Sequence, residues 1–190
     1  MSIISEFLSS VREVVSWGST LQREQRKEIK TVVGELADEL QRSIDLLTIY
    51  LDGIKSSDDK FRLGTYLRDG SNKVFTSFQE FQVCAGLYEL KDRFKGVFDP
   101  VGASVGIGNK GTIVMLINDL AHGERLIFDD LSETFDTLRQ YADKLENSQD
   151  ESEEKTIKDE LLSQVRAMKI DLKNSKKNIK TTARAIIDGL

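Results

Sequence analysis

One proline, one cysteine and one histidine stand in a chain of 190 residues, and each scarcity excludes something. Proline breaks helices because it lacks an N–H and clashes with the preceding turn, and Pro100 is the only place where that happens here. Cys84 has no second cysteine with which to form an internal disulfide, which predicts a reducing, cytoplasmic setting. His122 stands alone, and a di-iron bundle site needs two Glu-x-x-His motifs, so that chemistry is excluded in its standard form. The longest unbroken apolar run is Ile113 to Ile117, far below the roughly 18 residues needed to span a bilayer. Met1 to Glu6 lack the basic start of a secretory signal. Surplus positive charge is missing too. A net charge of -5 and a pI near 5.1 argue against nucleic acid as a partner, because basic surface supplies most of that affinity.

What the chain does have is charge of both signs, 31% of residues, around 39% hydrophobic content. That is enough for one domain with its own core. The apolar residues fall in heptad columns. Val33, Leu40, Leu47 and Ile54 form one column, and Ile29, Leu36, Ser43 and Tyr50 the next. Ala37, Ile44 and Leu51 widen the stripe. Spacings of three and four residues gather on one side only in a helix, and a three-column width fits a bundle better than a two-stranded coiled coil.

The pattern returns later in the chain. Ile117, Leu131, Leu138 and Leu145 make a column interrupted by Glu124, beside Ile113, Leu120, Ile127, Thr134 and Tyr141. Phe128, Phe135 and Ala142 lie alongside. The last segment sets Leu161, Met168, Ser175 and Thr182 next to Val165, Leu172, Ile179 and Ile186, growing more polar towards its end. Between these regions, Val74, Phe78, Phe81, Ala85 and Tyr88 overlap a second stripe through Leu87, Leu90, Phe94 and Val97, which predicts a central helix. Asp69-Gly70-Ser71 reads as a break.

Ser19 with Gln22, Ser56 with Asp59 and Asp150 with Glu153 have the spacing of N-cap and N3 partners. Helices are predicted over 3–17, 20–55, 57–69, 71–98, 109–147 and 151–188. The expected fold is therefore all-α: an antiparallel, up-down bundle of about four long helices plus a short N-terminal helix, with 1–190 as one domain.

Gly106, Gly108 and Gly111 spell G-x-G-x-x-G, but a helix precedes them where a dinucleotide site needs a strand, and Lys110 is followed by glycine, unlike a phosphate-binding loop. No cofactor is expected. The apolar, glycine-rich tip 97–117 supports a different use, contact with a partner or a membrane through Gly102, Val105, Gly106, Ile107, Gly108, Lys110 and Gly111. The N-terminal helix has an apolar face from Ile3 to Trp17, but Glu6 and Glu13 outnumber Arg12 on its polar side, which favours packing on the bundle.

Lys169, Lys173, Lys176, Lys177, Lys180 and Arg184 form a basic stripe on the last helix, whose start is acidic. A solvated face arranged along the helix dipole accounts for that order, with Glu151–Lys155 and Glu154–Lys158 as i,i+4 pairs. Glu35, Asp38 and Glu39 are dispersed carboxylates on one helix, and Cys84 reads as a small core residue. These features predict a non-catalytic interaction or scaffold module, not an enzyme, binding another protein or itself. Leu46, Leu162 and Ile187, outside the main columns, are candidates for partner surface. The alternative is a membrane-active bundle that uses the tip 97–117.

Overall fold

A computed structural model describes residues 12, 23–56, 59–80, 89, 92, 93 and 123–190. Helix α1 is Arg23–Gly53, closed by a 3-10 turn at Ile54–Ser56. Two short helices follow, α2 at Lys60–Arg68 and α3 at Gly70–Glu80, then α4 at Gly123–Asn147 and α5 at Glu151–Gly189. The described residues contain no strand. The protein is an all-α bundle in which α1 packs on α5 and α2 on α4.

The direction of each pairing can be read from its ion pairs. Lys169 meets Asp52, and Lys176 meets Asp45 at 2.6 Å, so seven residues forward along α5 match seven backward along α1. On the other side, Lys60 reaches the Ser148 carbonyl at 3.4 Å, Arg68 bridges Asp143 and Glu146, and Arg139 bonds Ser71 at 3.0 Å. Both pairs run antiparallel.

Every α1 column position named from the sequence is buried, including Ser43, whose hydroxyl donates to the Glu39 carbonyl at 3.0 Å. That internal bond lets a polar side chain sit in an apolar column. Buried residues of all five helices form one hydrophobic cluster. In α5 the column Val165, Leu172, Ile179 and Ile186 is buried throughout, whereas Met168, Ser175 and Thr182 are half-buried.

Two boundary details differ from expectation. Asp59, not Ser56, caps α2, because Ser56 still belongs to the closing turn of α1. Asp59 is extended, and its carboxylate accepts from the Arg62 N–H at 2.8 Å. The break at Asp69 is a single residue, and α3 starts directly at Gly70. Asp150 does cap α5, accepting from the Glu153 N–H at 2.8 Å, while Glu153 accepts from the Gln149 N–H at 2.8 Å. The proposed cap at Ser19, the N-terminal helix (apart from helical, exposed Arg12) and most of 81–122 lie outside the described residues.

Tyr50 and Tyr66 form the joint between α1 and α2. Their rings stack at 5.0 Å and 7°, and each hydroxyl donates to the other residue's carbonyl, at 3.2 and 3.0 Å. Phe135 of α4 tilts against Tyr50, and Lys73 of α3 lies 3.9 Å from the Tyr66 ring centre. Burial raises the Tyr50 phenol above its ordinary pKa, with Tyr66 and Asp69 adding to the rise and Arg139 opposing it. A raised folded pKa means the fold favours the neutral phenol. The stability linked to it is complete below about pH 10 and is lost as pH climbs through that value towards the folded pKa. Urea unfolding at pH 8 and pH 11 is expected to show a steep alkaline loss that Tyr50→Phe makes shallower. An unchanged slope in the variant would assign the loss to other groups.

Candidate functional site

The structure divides the basic residues of α5 into two groups. At about 100° per residue, Lys169, Lys173, Lys176, Lys177, Lys180 and Arg184 occupy roughly 100° of the helix circumference. Lys169 and Lys176, on the inner edge, are tied to Asp52 and Asp45 of α1. The Lys169 contact holds the exposed Asp52 carboxyl below its usual pKa. Lys173, Lys177 and Lys180, on the outer edge, are exposed and make no ion pair among the described residues, and Arg184 meets only Asp188, at 3.6 Å. Ile170, 61% exposed, borders that outer edge.

The dipole explanation therefore holds only for the acidic first turn, Glu151, Glu153 and Glu154. The last turn has no basic residue, and dipole effects fade within one turn, so the lysines are too far from the C-terminus to be placed by it. Glu154 and Lys158 pair at 2.6 Å. Glu151 and Lys155 do not, since two exposed side chains gain too little from pairing to be fixed in one geometry.

The carboxylates on α1 do not converge. Glu35 is bound by Arg93, whose guanidinium also holds Glu28 at 2.9 Å. Arg93 lies beside the N-terminal half of α1, whereas Gly70 lies beside its C-terminal half. Burial raises the Glu39 carboxyl, against the pull of Arg42 at 3.0 Å. Asp38 is exposed, and its charge adds to the rise at Glu39. The two buried polar residues found among the described ones, Ser43 and Ser148, both donate to backbone carbonyls of their own segments. No group of three potential metal ligands occurs among the described residues, and none of the described helices is long and apolar enough to cross a membrane.

Leu46 was expected at a partner surface and is instead 7% exposed, inside the core. Ile187 packs partly against the same cluster, and Leu162 is half-buried. The reason is geometric: α1 is flanked by α5 on one side and by α3 and Arg93 on the other, so its buried arc exceeds the three columns. Gly102, Val105, Gly106, Ile107, Gly108, Lys110 and Gly111, with Cys84 and His122, lie outside the described residues.

One feature went unread in the sequence. Arg23, Glu24, Arg26, Lys27, Lys30 and Leu190 line an open hollow of about 830 Å³ where the start of α1 meets the end of α5. The basic residues recur at three- and four-residue steps, which was legible, but their meeting with Leu190 depends on the register of α1 against α5. No protein family, curated protein or solved structure matches this chain.

Proposed function

We propose that this protein is a non-catalytic helical interaction module that binds another protein, or a second copy of itself, through the outer edge of α5. The observation that carries this reading is the division of the basic stripe. Its inner edge neutralises the acidic flank of α1, while Lys173, Lys177 and Lys180 face outward, unpaired among the described residues, beside exposed Ile170. A cationic row next to an apolar side chain suits an acidic protein surface with an apolar centre. A helix of 39 residues, buried along one side only, presents that row on a rigid support.

The chain's own acidic surplus makes a second copy an eligible partner. A photo-crosslinking residue in place of Lys177, introduced into the protein in its native cells, tests the reading. Crosslinks to one acidic protein, or to a second copy, are expected, and Ile170→Asp should abolish them. Recovery of monomer alone, or crosslinks indifferent to Ile170→Asp, would overturn the assignment of this edge.

A further inference from the structure

The Lys169–Asp52 and Lys176–Asp45 pairs form a seam on the solvent side of the bundle. At about 100° per residue, Asp38, Asp45, Ile49 and Asp52 fall within roughly 60° of the α1 circumference, opposite its buried columns. All four are exposed, and the three aspartates recur every seven residues. On α5, Ile170, Lys177 and Arg184 recur at the same interval, on the far side from the buried column of Val165, Leu172, Ile179 and Ile186. The seam lysines join the two strips. An acidic strip holding Ile49 and a basic strip holding Ile170 therefore share one face.

The antiparallel register sets their relative heights. Lys176 is level with Asp45 and Lys169 with Asp52, so Asp38 is level with Ala183, next to Arg184, and Ile49 with Leu172, two residues from Ile170. A two-fold axis parallel to these helices lays α1 of a second copy over α5 of the first at unchanged height. Asp38 of one copy then meets Arg184 of the other, Asp45 meets Lys177, and Ile49 meets Ile170, each within about 3 Å along the helix axis. The symmetry repeats every contact. The apolar pair fixes the register, because a slip of one heptad would keep acids against bases but part Ile49 from Ile170.

The charges are available for this use. Asp38 and Lys177 make no ion pair among the described residues, and Arg184 meets only Asp188, at 3.6 Å. The side chains of Asp45 and Asp52 stay 54% and 52% exposed beside their lysines, and a carboxylate accepts from more than one donor. We infer that this face binds a second copy of the chain, with α1 of each copy over α5 of the other. The pairing rests on the binding role of the α5 outer edge and names its partner. A face about 22 Å by 20 Å buries on the order of 900 Å² in total, in the range of weak, transient complexes. Dilute protein is accordingly monomeric.

Sedimentation velocity over a concentration series tests the pairing. A monomer–dimer equilibrium that salt weakens is expected. Asp38→Arg and Arg184→Asp should each weaken dimerisation by about tenfold or more, since each sets like charges together at both symmetric contacts. The double variant exchanges the signs and should return to within about threefold of the unaltered chain. Ile49→Asp should abolish the dimer as fully as Ile170→Asp. A chain that stays monomeric at every concentration, or a double variant no tighter than its singles, would overturn the pairing. The crosslinks from Lys177 then decide the wider reading. If Ile170→Asp abolishes them, the α5 edge binds a different acidic protein, and if they are indifferent to it, the edge has no binding role.

Discussion

Leu51→Ala is expected to lower the unfolding free energy by about 2–5 kcal/mol, the range for a leucine whose removal leaves a core cavity. Leu51 is 0% exposed, in the third α1 column. Its removal takes away both the transfer energy of the lost methyl groups and the dispersion contacts of the atoms that surrounded them. For a chain of this size each kcal/mol moves the melting temperature by about 2–4 °C, so a fall on the order of 10 °C should be seen by calorimetry. Ile49→Ala, two residues away and 67% exposed, is the matched control and should change stability by no more than about 0.5 kcal/mol. Equal effects would mean that the columns do not define the core.

That contrast shows how much of the architecture was legible. Burial of α1 followed from spacing alone, because a three-column stripe has one way to hide in a helix. The start of α5 was equally plain, since Asp150 accepts from the Glu153 N–H and Glu153 from the Gln149 N–H. What the sequence concealed depends on contacts between elements. Leu46 lies outside the columns and is buried, because α1 has neighbours on both flanks. Lys169 and Lys176 look identical to Lys173 and Lys177 in a list of basic residues. Only the register with α1 assigns the first two to Asp52 and Asp45 and leaves the others outward. Local spacing predicts elements, whereas sites arise from the offsets between them.

Glycine-to-alanine substitutions give the second large effect, because the same change should have opposite signs at two positions. Among the described residues, Gly34, within α1, has nothing within 4 Å of the place its Cβ would take. Gly34→Ala should therefore stabilise the protein by about 0.4–1 kcal/mol, by restricting the unfolded chain and improving helix propensity. At Gly70 an added Cβ would run into the Tyr50 hydroxyl and lie 2.6 Å from Cζ and 3.3 Å from Cε1. The Tyr50 ring cannot swing aside, being 5% exposed, stacked on Tyr66 and bonded through its hydroxyl to the Tyr66 carbonyl. Gly70→Ala is accordingly expected to destabilise by about 1–3 kcal/mol, as overpacking does in a filled core. Gly53 makes the mirror contact with the Tyr66 hydroxyl, but there Cζ lies at 2.9 Å and Tyr66 is only half-buried. Tyr66→Phe should thus relieve part of the damage done by Gly53→Ala, by removing the nearest contact, so that the two changes together cost less than their separate effects added. Urea unfolding of these variants measures each term. If Gly34→Ala and Gly70→Ala move the midpoint in the same direction, the tyrosine pair is not what requires glycine at the joint.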